Sequence, residues 1–182
     1  MMRTKVLLAA VCAAVAAITC TTATAAFAAK PAASTPRCTA SELGVWIAAN
    51  HSNGAAGTIY YPLEFTNLST HTCALEGYPG VSALASNGSQ LGDAASRFTF
   101  VKETTVKLGA DQSAYAYLAY RDAAVGSCAS KDVRDAYNLR VYPPGSTSAI
   151  NVPWDWPTCT KGINADFLGI SVVSPIGTGG IG

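Results

Sequence analysis

Thr58-Ile59-Tyr60-Tyr61-Pro62-Leu63-Glu64-Phe65-Thr66-Asn67 is the stretch that decides the fold. Ile59, Tyr61, Leu63 and Phe65 fall on one side of an extended chain. Tyr60, Pro62, Glu64 and Thr66 fall on the other, the period of two that marks a half-buried strand. Asn53-Gly54-Ala55-Ala56-Gly57 precedes it with several residues able to take φ > 0, so a hairpin turn is expected there. The partner across that turn is the apolar, β-prone run Leu43-Gly44-Val45-Trp46-Ile47.

Toward the C-terminus the same texture repeats. Residues 81–85 and Gln90-Leu91 are short strands around an Asn87-Gly88 turn, and 104–108 leads through Gly109-Ala110-Asp111 into 113–120. In that last run Ala114, Ala116, Leu118 and Tyr120 share one face, leaving Tyr115 and Tyr117 on the other, taken as the outer one. Further strands are expected at 137–142, stopped by Pro143-Pro144-Gly145, and at 149–152 and 167–173, with one helical turn at 131–135. Many short alternating strands, no longer helical period and no repeat predict an all-β chain. The expected fold is an antiparallel β-sandwich with immunoglobulin-like or Greek-key topology; a closed β-barrel is the alternative.

The N-terminus reads as a signal peptide over residues 1–28. Arg3 and Lys5 open it, 6–18 is apolar, and Ala26-Phe27-Ala28 offers a small-x-small cleavage site, with neighbouring positions serving as well. The apolar run is shorter than the roughly 20 residues a membrane span needs. Cys20 sits where a lipoprotein cysteine would, but Thr19 stands where such sites carry a small Gly, Ala or Ser, so secretion is preferred to lipid anchoring. A Pro-, Ala- and Ser-rich lead follows over 29–37, then one sandwich domain over 38–176 and a loose tail over 177–182. Of the 182 residues, 154 lie beyond the signal, with ten Lys and Arg against eleven Asp and Glu. That near-neutral balance, with charged residues at 13% of the whole chain, argues against nucleic acid as a partner.

Once Cys12 and Cys20 leave with the signal, Cys38, Cys73, Cys128 and Cys159 remain, an even number without C-x-x-C spacing. In an exported chain these are expected as disulfides, and three connectivities are open. Antiparallel neighbours bring the start of one strand beside the end of the other. This favours Cys38 with Cys73 around the first two strands, and Cys128 with Cys159 around 137–142 and 149–152.

Cys38-Thr39-Ala40, Leu63-Glu64-Phe65-Thr66-Asn67 with Ser69, Thr72-Cys73, Gly77-Tyr78-Pro79-Gly80-Val81 and Val141-Tyr142-Pro143-Pro144-Gly145 together resemble an actinobacterial family of secreted proteins and lipoproteins catalogued as a domain of unknown function. The resemblance implies an immunoglobulin-like sandwich outside the cytoplasm and brings no catalytic residues. In a bacterial setting the acceptor-like triplets Asn50-His51-Ser52, Asn67-Leu68-Ser69 and Asn87-Gly88-Ser89 read as turn chemistry. Asn67 in particular is expected to tie down the loop after its strand through side-chain bonds to backbone.

Candidate chemistry is thin. His51 and His71 lie in or beside turns without metal-protease spacing, no G-x-S-x-G elbow is present, and Asp122, Asp132 and Asp135 read as surface charge, so neither a metal site nor a cofactor is expected. The aromatic residues carry the functional signal. Trp154 and Trp156 sit in a proline-bounded loop, Pro153-Trp154-Asp155-Trp156-Pro157, and with Tyr115 and Tyr117 they are the expected binding residues, able to stack on sugar rings or anchor a protein. One of the tryptophans is also expected to fold back over the end of the sandwich. The reading is an exported, non-enzymatic domain binding a partner or a glycan at or outside the cell envelope, with an extracellular protease inhibitor as the alternative and a hydrolase behind both.

Overall fold

The alternation at 58–67 is realised as a ten-residue strand in the middle of a sheet. The computed structural model describes residues 34–48, 53–99 and 102–175. The expected signal peptide with Cys20, the first part of the lead, His51 and the tail over 177–182 lie outside them. Along the described chain the strands are β1 (Leu43–Ile47), β2 (Asn53–Ala55), β3 (Thr58–Asn67), β4 (Cys73–Leu75), β5 (Gly80–Leu84), β6 (Gln90–Leu91) and β7 (Ser96–Arg97). Then come β8 (Val106–Leu108), β9 (Ser113–Tyr120), β10 (Val133–Asp135), β11 (Asn138–Tyr142), β12 (Ile150–Pro153), β13 (Pro157–Cys159) and β14 (Leu168–Ile170).

Two sheets make the sandwich. The larger runs β1-β3-β9-β14-β7 with β2 also on β3, and the smaller runs β12-β11-β5-β6; the short pairs β4-β8 and β10-β13 complete the described ladders. The chain passes from the larger sheet to the smaller and back twice, placing β3 beside β9 and β5 beside β11 across long sequence gaps. No ladder among the described strands joins the two sheets, so the closed-barrel alternative falls.

Register explains the core. Leu63 faces Ala116, Phe65 faces Ala114 and Tyr61 faces Leu118, so a large side chain on β3 lies opposite a small or branched one on β9. In the smaller sheet Leu139 lies between Ala83 and Val152, and Val141 between Val81 and Ile150. Leu63, Phe65, Leu118, Leu139 and Val141 are all fully buried, and each contributes about 1.5–3 kcal/mol of transfer free energy. The turn into β3 is tighter than the five-residue stretch expected: Ala55 pairs with Thr58, and Ala56 and Gly57 take φ of 49° and 76°, the signs a two-residue type I′ hairpin requires.

Both disulfides are those expected, with Cα–Cα distances of 4.9 Å for Cys38–Cys73 and 5.8 Å for Cys128–Cys159. The first is supported by backbone: Cys38 N–H donates to Ala74 O, and Ala74 N–H to Pro36 O. Pro36 and Arg37, placed in the lead by sequence, thus belong to the fold, and Arg37 Nη1 also donates to Pro144 O at 3.1 Å. The guanidinium rests on Gly145, where a Cβ would come within 1.9 Å of it; the Pro-Pro-Gly turn seats Arg37 as well as ending β11. The second disulfide clips a different ladder from the one that suggested it, since Cys159 ends β13, which pairs with β10.

The helical turn expected at 131–135 is a correction. Ser130–Asp132 forms a short 3-10 turn, and the chain then enters β10 because Val133–Asp135 finds β13 as a partner. A single-turn helix α1 (Asp122–Gly126) lies instead just after β9, too short for periodicity to announce, and it buries Val125 in the core.

Asn67 behaves as expected. Fully buried at the end of β3, it donates from Nδ2 to His71 O (2.8 Å), Leu108 O (3.0 Å) and Gly109 O (3.1 Å). Its Oδ1 accepts from Ser69 N–H (3.0 Å) and Ser69 Oγ (2.7 Å). The Asn87–Ser89 turn repeats that second half with the same two distances.

Candidate functional site

The outer face of the larger sheet is built by the strand alternation itself. Leu43, Val45 and Ile47 of β1 turn toward the core, which sends Gly44 and Trp46 outward. Trp46 stands opposite Glu64 on β3, and Glu64 opposite Tyr115 on β9, so the three form one row across adjacent strands. The row continues to Ser174, which bridges Tyr115 from beyond β14. One step along, Pro62 faces Tyr117, and Gly44, Thr66 and Ser113 form a small polar row, with the two hydroxyls 2.6 Å apart.

Trp46 is held on this face although it is 40% exposed. Its Nε1 donates to Glu64 Oε2 at 3.0 Å, and its ring lies over Gly44, where an added Cβ would come within 3.0 Å of Cζ3. The glycine gives the indole a bed and the carboxylate fixes its rotation. The result is a pre-positioned aromatic platform with polar groups beside it, a chemistry that stacks on flat apolar surfaces and hydrogen-bonds hydroxyls or amides.

Beside the row lies an open groove of about 650 Å³. Glu64, Tyr115, Ser113, Gln112, Asp111 and Lys107 are among its walls, giving two carboxylates, one ammonium, an amide and two hydroxyls. The Tyr115 phenol is pushed above its ordinary range, first by burial and then by its hydrogen bond to the neighbouring Glu64 carboxylate.

The four aromatic residues picked out by sequence divide. Tyr115 and Tyr117 are half-buried on the outer face as expected, alternating with the fully buried Ala114, Ala116 and Leu118. Trp154 is a correction: at 4% exposure it belongs to the core, 5.3 Å edge-on to Tyr61 and 5.8 Å from Tyr120. Its Nε1 has no hydrogen-bond acceptor among the described residues, so the ring is buried for its apolar area. Trp156 is 40% exposed and leans on the same cluster, 5.9 Å from Tyr61 and 5.7 Å from Tyr120. The tryptophan pair therefore closes one end of the sandwich, away from the row on the outer face.

Sequence reading passed over Trp46 and Glu64. The signal was present in the period of two at Leu43–Ile47, which separates Gly44 and Trp46 from the three apolar residues around them. His71 is exposed, with Nε2 3.1 Å from Glu42 Oε1. The nearby Ser69 hydroxyl is committed to Asn67 Oδ1 and the His71 carbonyl. Among the described residues no group of three or more His, Cys, Asp or Glu side chains is placed to hold a metal ion, and no helix is long and apolar enough to cross a membrane.

Compared with known protein families, residues 38–173 match the one described as "Domain of unknown function (DUF4232)". No curated protein and no solved structure matches the chain.

Proposed function

From the premise that this chain belongs to the DUF4232 family, a domain of unknown function, we propose that it is an exported, non-enzymatic binding domain that engages a partner or glycan at or outside the cell envelope through the outer face of its larger sheet. The observation that carries this reading is Trp46, an exposed indole fixed by Gly44 beneath and Glu64 beside it. An exposed ring with no ligand gains little from such fixing, whereas a ring that must meet a ligand avoids an ordering cost on binding. Export is supported by the signal-like N-terminus and by two disulfides, which persist in oxidising compartments.

The test is co-sedimentation of the purified domain with insoluble envelope material from the source cells. Wild type and Trp156→Ala are expected in the pellet, and Trp46→Ala in the supernatant with an unchanged melting temperature. Equal sedimentation of Trp46→Ala and wild type would remove the face from consideration. Inhibition of secreted protease activity by Trp46→Ala as strong as by wild type would favour the inhibitor reading instead.

A further inference from the structure

We infer that the occupant of this face is an extended, uncharged β-linked polysaccharide chain laid across the strands from Trp46 over Glu64 to Tyr115; this rests on the binding reading above and names its ligand. The two aromatic residues stand two strands apart, with Glu64 between them. At the spacing of neighbouring strands their backbones are about 9 to 10 Å apart. That is close to the advance of two sugar rings along an extended β-linked glycan, so alternate rings can meet Trp46 and Tyr115. The intervening ring lies over Glu64, whose carboxylate accepts hydrogen bonds from its hydroxyls.

Charge selects among ligands of this shape. Glu64 and Asp111 outnumber Lys107 around the groove, which works against a polyanion such as an acidic glycan or a phosphate-rich surface. Gln112, Ser113 and the neutral Tyr115 phenol add donors and acceptors suited to hydroxyl and acetamido groups. A polypeptide added as a further strand would pair with the backbone edge of the sheet and leave this outward row untouched.

The test is equilibrium binding by isothermal titration calorimetry to soluble cello- and chito-oligosaccharides of increasing length, with malto-oligosaccharides and polygalacturonate for comparison. Affinity for at least one β-linked series is expected to rise steeply up to about three rings, the length spanning both platforms at this strand spacing, and then to flatten. Trp46→Ala and Tyr115→Ala should each weaken binding about tenfold or more, as loss of a stacked ring does. Gly44→Ala, which lifts the indole without removing it, should weaken binding in the same direction and guards against a folding defect in Trp46→Ala. Glu64→Gln loosens the hold on the Trp46 indole and changes the group beneath the middle ring, so it should weaken binding in the same direction as Gly44→Ala. The inference is overturned if neither β-linked series binds or competes while envelope material still retains wild type and releases Trp46→Ala; the face would then bind something other than this glycan. It is equally overturned if polygalacturonate binds best.

Discussion

Replacing Asn67 tests how the end of β3 is held. Its side chain makes five hydrogen-bond contacts, three from Nδ2 to carbonyls and two into Oδ1, at a site with no solvent exposure. Asn67→Ala removes them all and leaves Leu108 O and Ser69 N–H without that partner. At about 1 kcal/mol net for each bond, with the two amide protons shared among three acceptors, the expected loss is roughly 3 to 5 kcal/mol. That is a large fraction of the 5–15 kcal/mol typical of a domain. Asn67→Asp keeps the shape and both acceptor bonds but turns an anionic oxygen toward three carbonyls. Its carboxyl will be held neutral in the fold, above its unfolded value of about 3.9. A folded pKa raised in this way means that the variant is least impaired below the unfolded pKa and loses stability as pH rises through the folded one. Urea denaturation followed by far-UV circular dichroism at pH 4 and pH 7 is the assay. A loss under about 0.5 kcal/mol for Asn67→Ala, or a penalty for Asn67→Asp that does not grow with pH, would refute the reasoning.

The tryptophans should separate in thermal melts. Trp154→Ala is expected to cost roughly 3 to 5 kcal/mol as a core truncation and Trp156→Ala clearly less, and equal losses would contradict their different burial. The Tyr120 phenol is pushed up to about 12 by burial, with the Asp122 carboxylate and Tyr61 adding to the effect. Because that folded value is raised, its contribution is intact below about pH 10 and is lost as pH climbs toward 12, at most roughly 2 to 3 kcal/mol. Tyr120→Phe should flatten this alkaline decline while giving up about 1 kcal/mol at neutral pH for the bond to Pro157 O; a decline of unchanged steepness would count against the assignment. Mild reduction followed by alkylation and peptide mapping should label Cys128 and Cys159 before Cys38 and Cys73, because Cys128 is half-buried whereas both members of the other pair are enclosed; the reverse order would contradict it.

Much of this was legible in the sequence because short-range alternation and turn chemistry are local. The faces of 58–67 and 113–120, the Asn87-Gly88 turn, the capping role of Asn67 and the Cys38–Cys73 bridge follow from neighbours a few residues apart or from antiparallel order, whereas Cys128–Cys159 closes on a ladder other than the one that pointed to it. What escaped depends on distant partners. Val133–Asp135 is a strand only because Pro157–Cys159 lies beside it, and Pro36 and Arg37 are ordered only because Ala74 and Pro144 receive them. The site divides the same way. Tyr115 and Tyr117 follow from their own alternation, and one tryptophan does fold back as expected, but that it is Trp154 was not legible because nothing local distinguishes a proline-bounded tryptophan in solvent from one roofed by Tyr61 and Tyr120. Trp46 was hidden within an apolar run, and its role emerges only when β1 is laid against Glu64.

The most direct measurement is a two-dimensional proton–nitrogen spectrum of the three indole N–H groups, one for each tryptophan in the chain. Each sits in a different environment: Trp46 bonded to Glu64, Trp154 buried without an acceptor, and Trp156 half-exposed over the tyrosines. On adding soluble fragments of envelope polysaccharide, the account predicts that the Trp46 signal moves in a saturable way while that of Trp154 stays fixed. Saturable movement of the Trp156 signal alone, or no movement of any indole at concentrations where the fragments are retained by the wild-type domain, would contradict it.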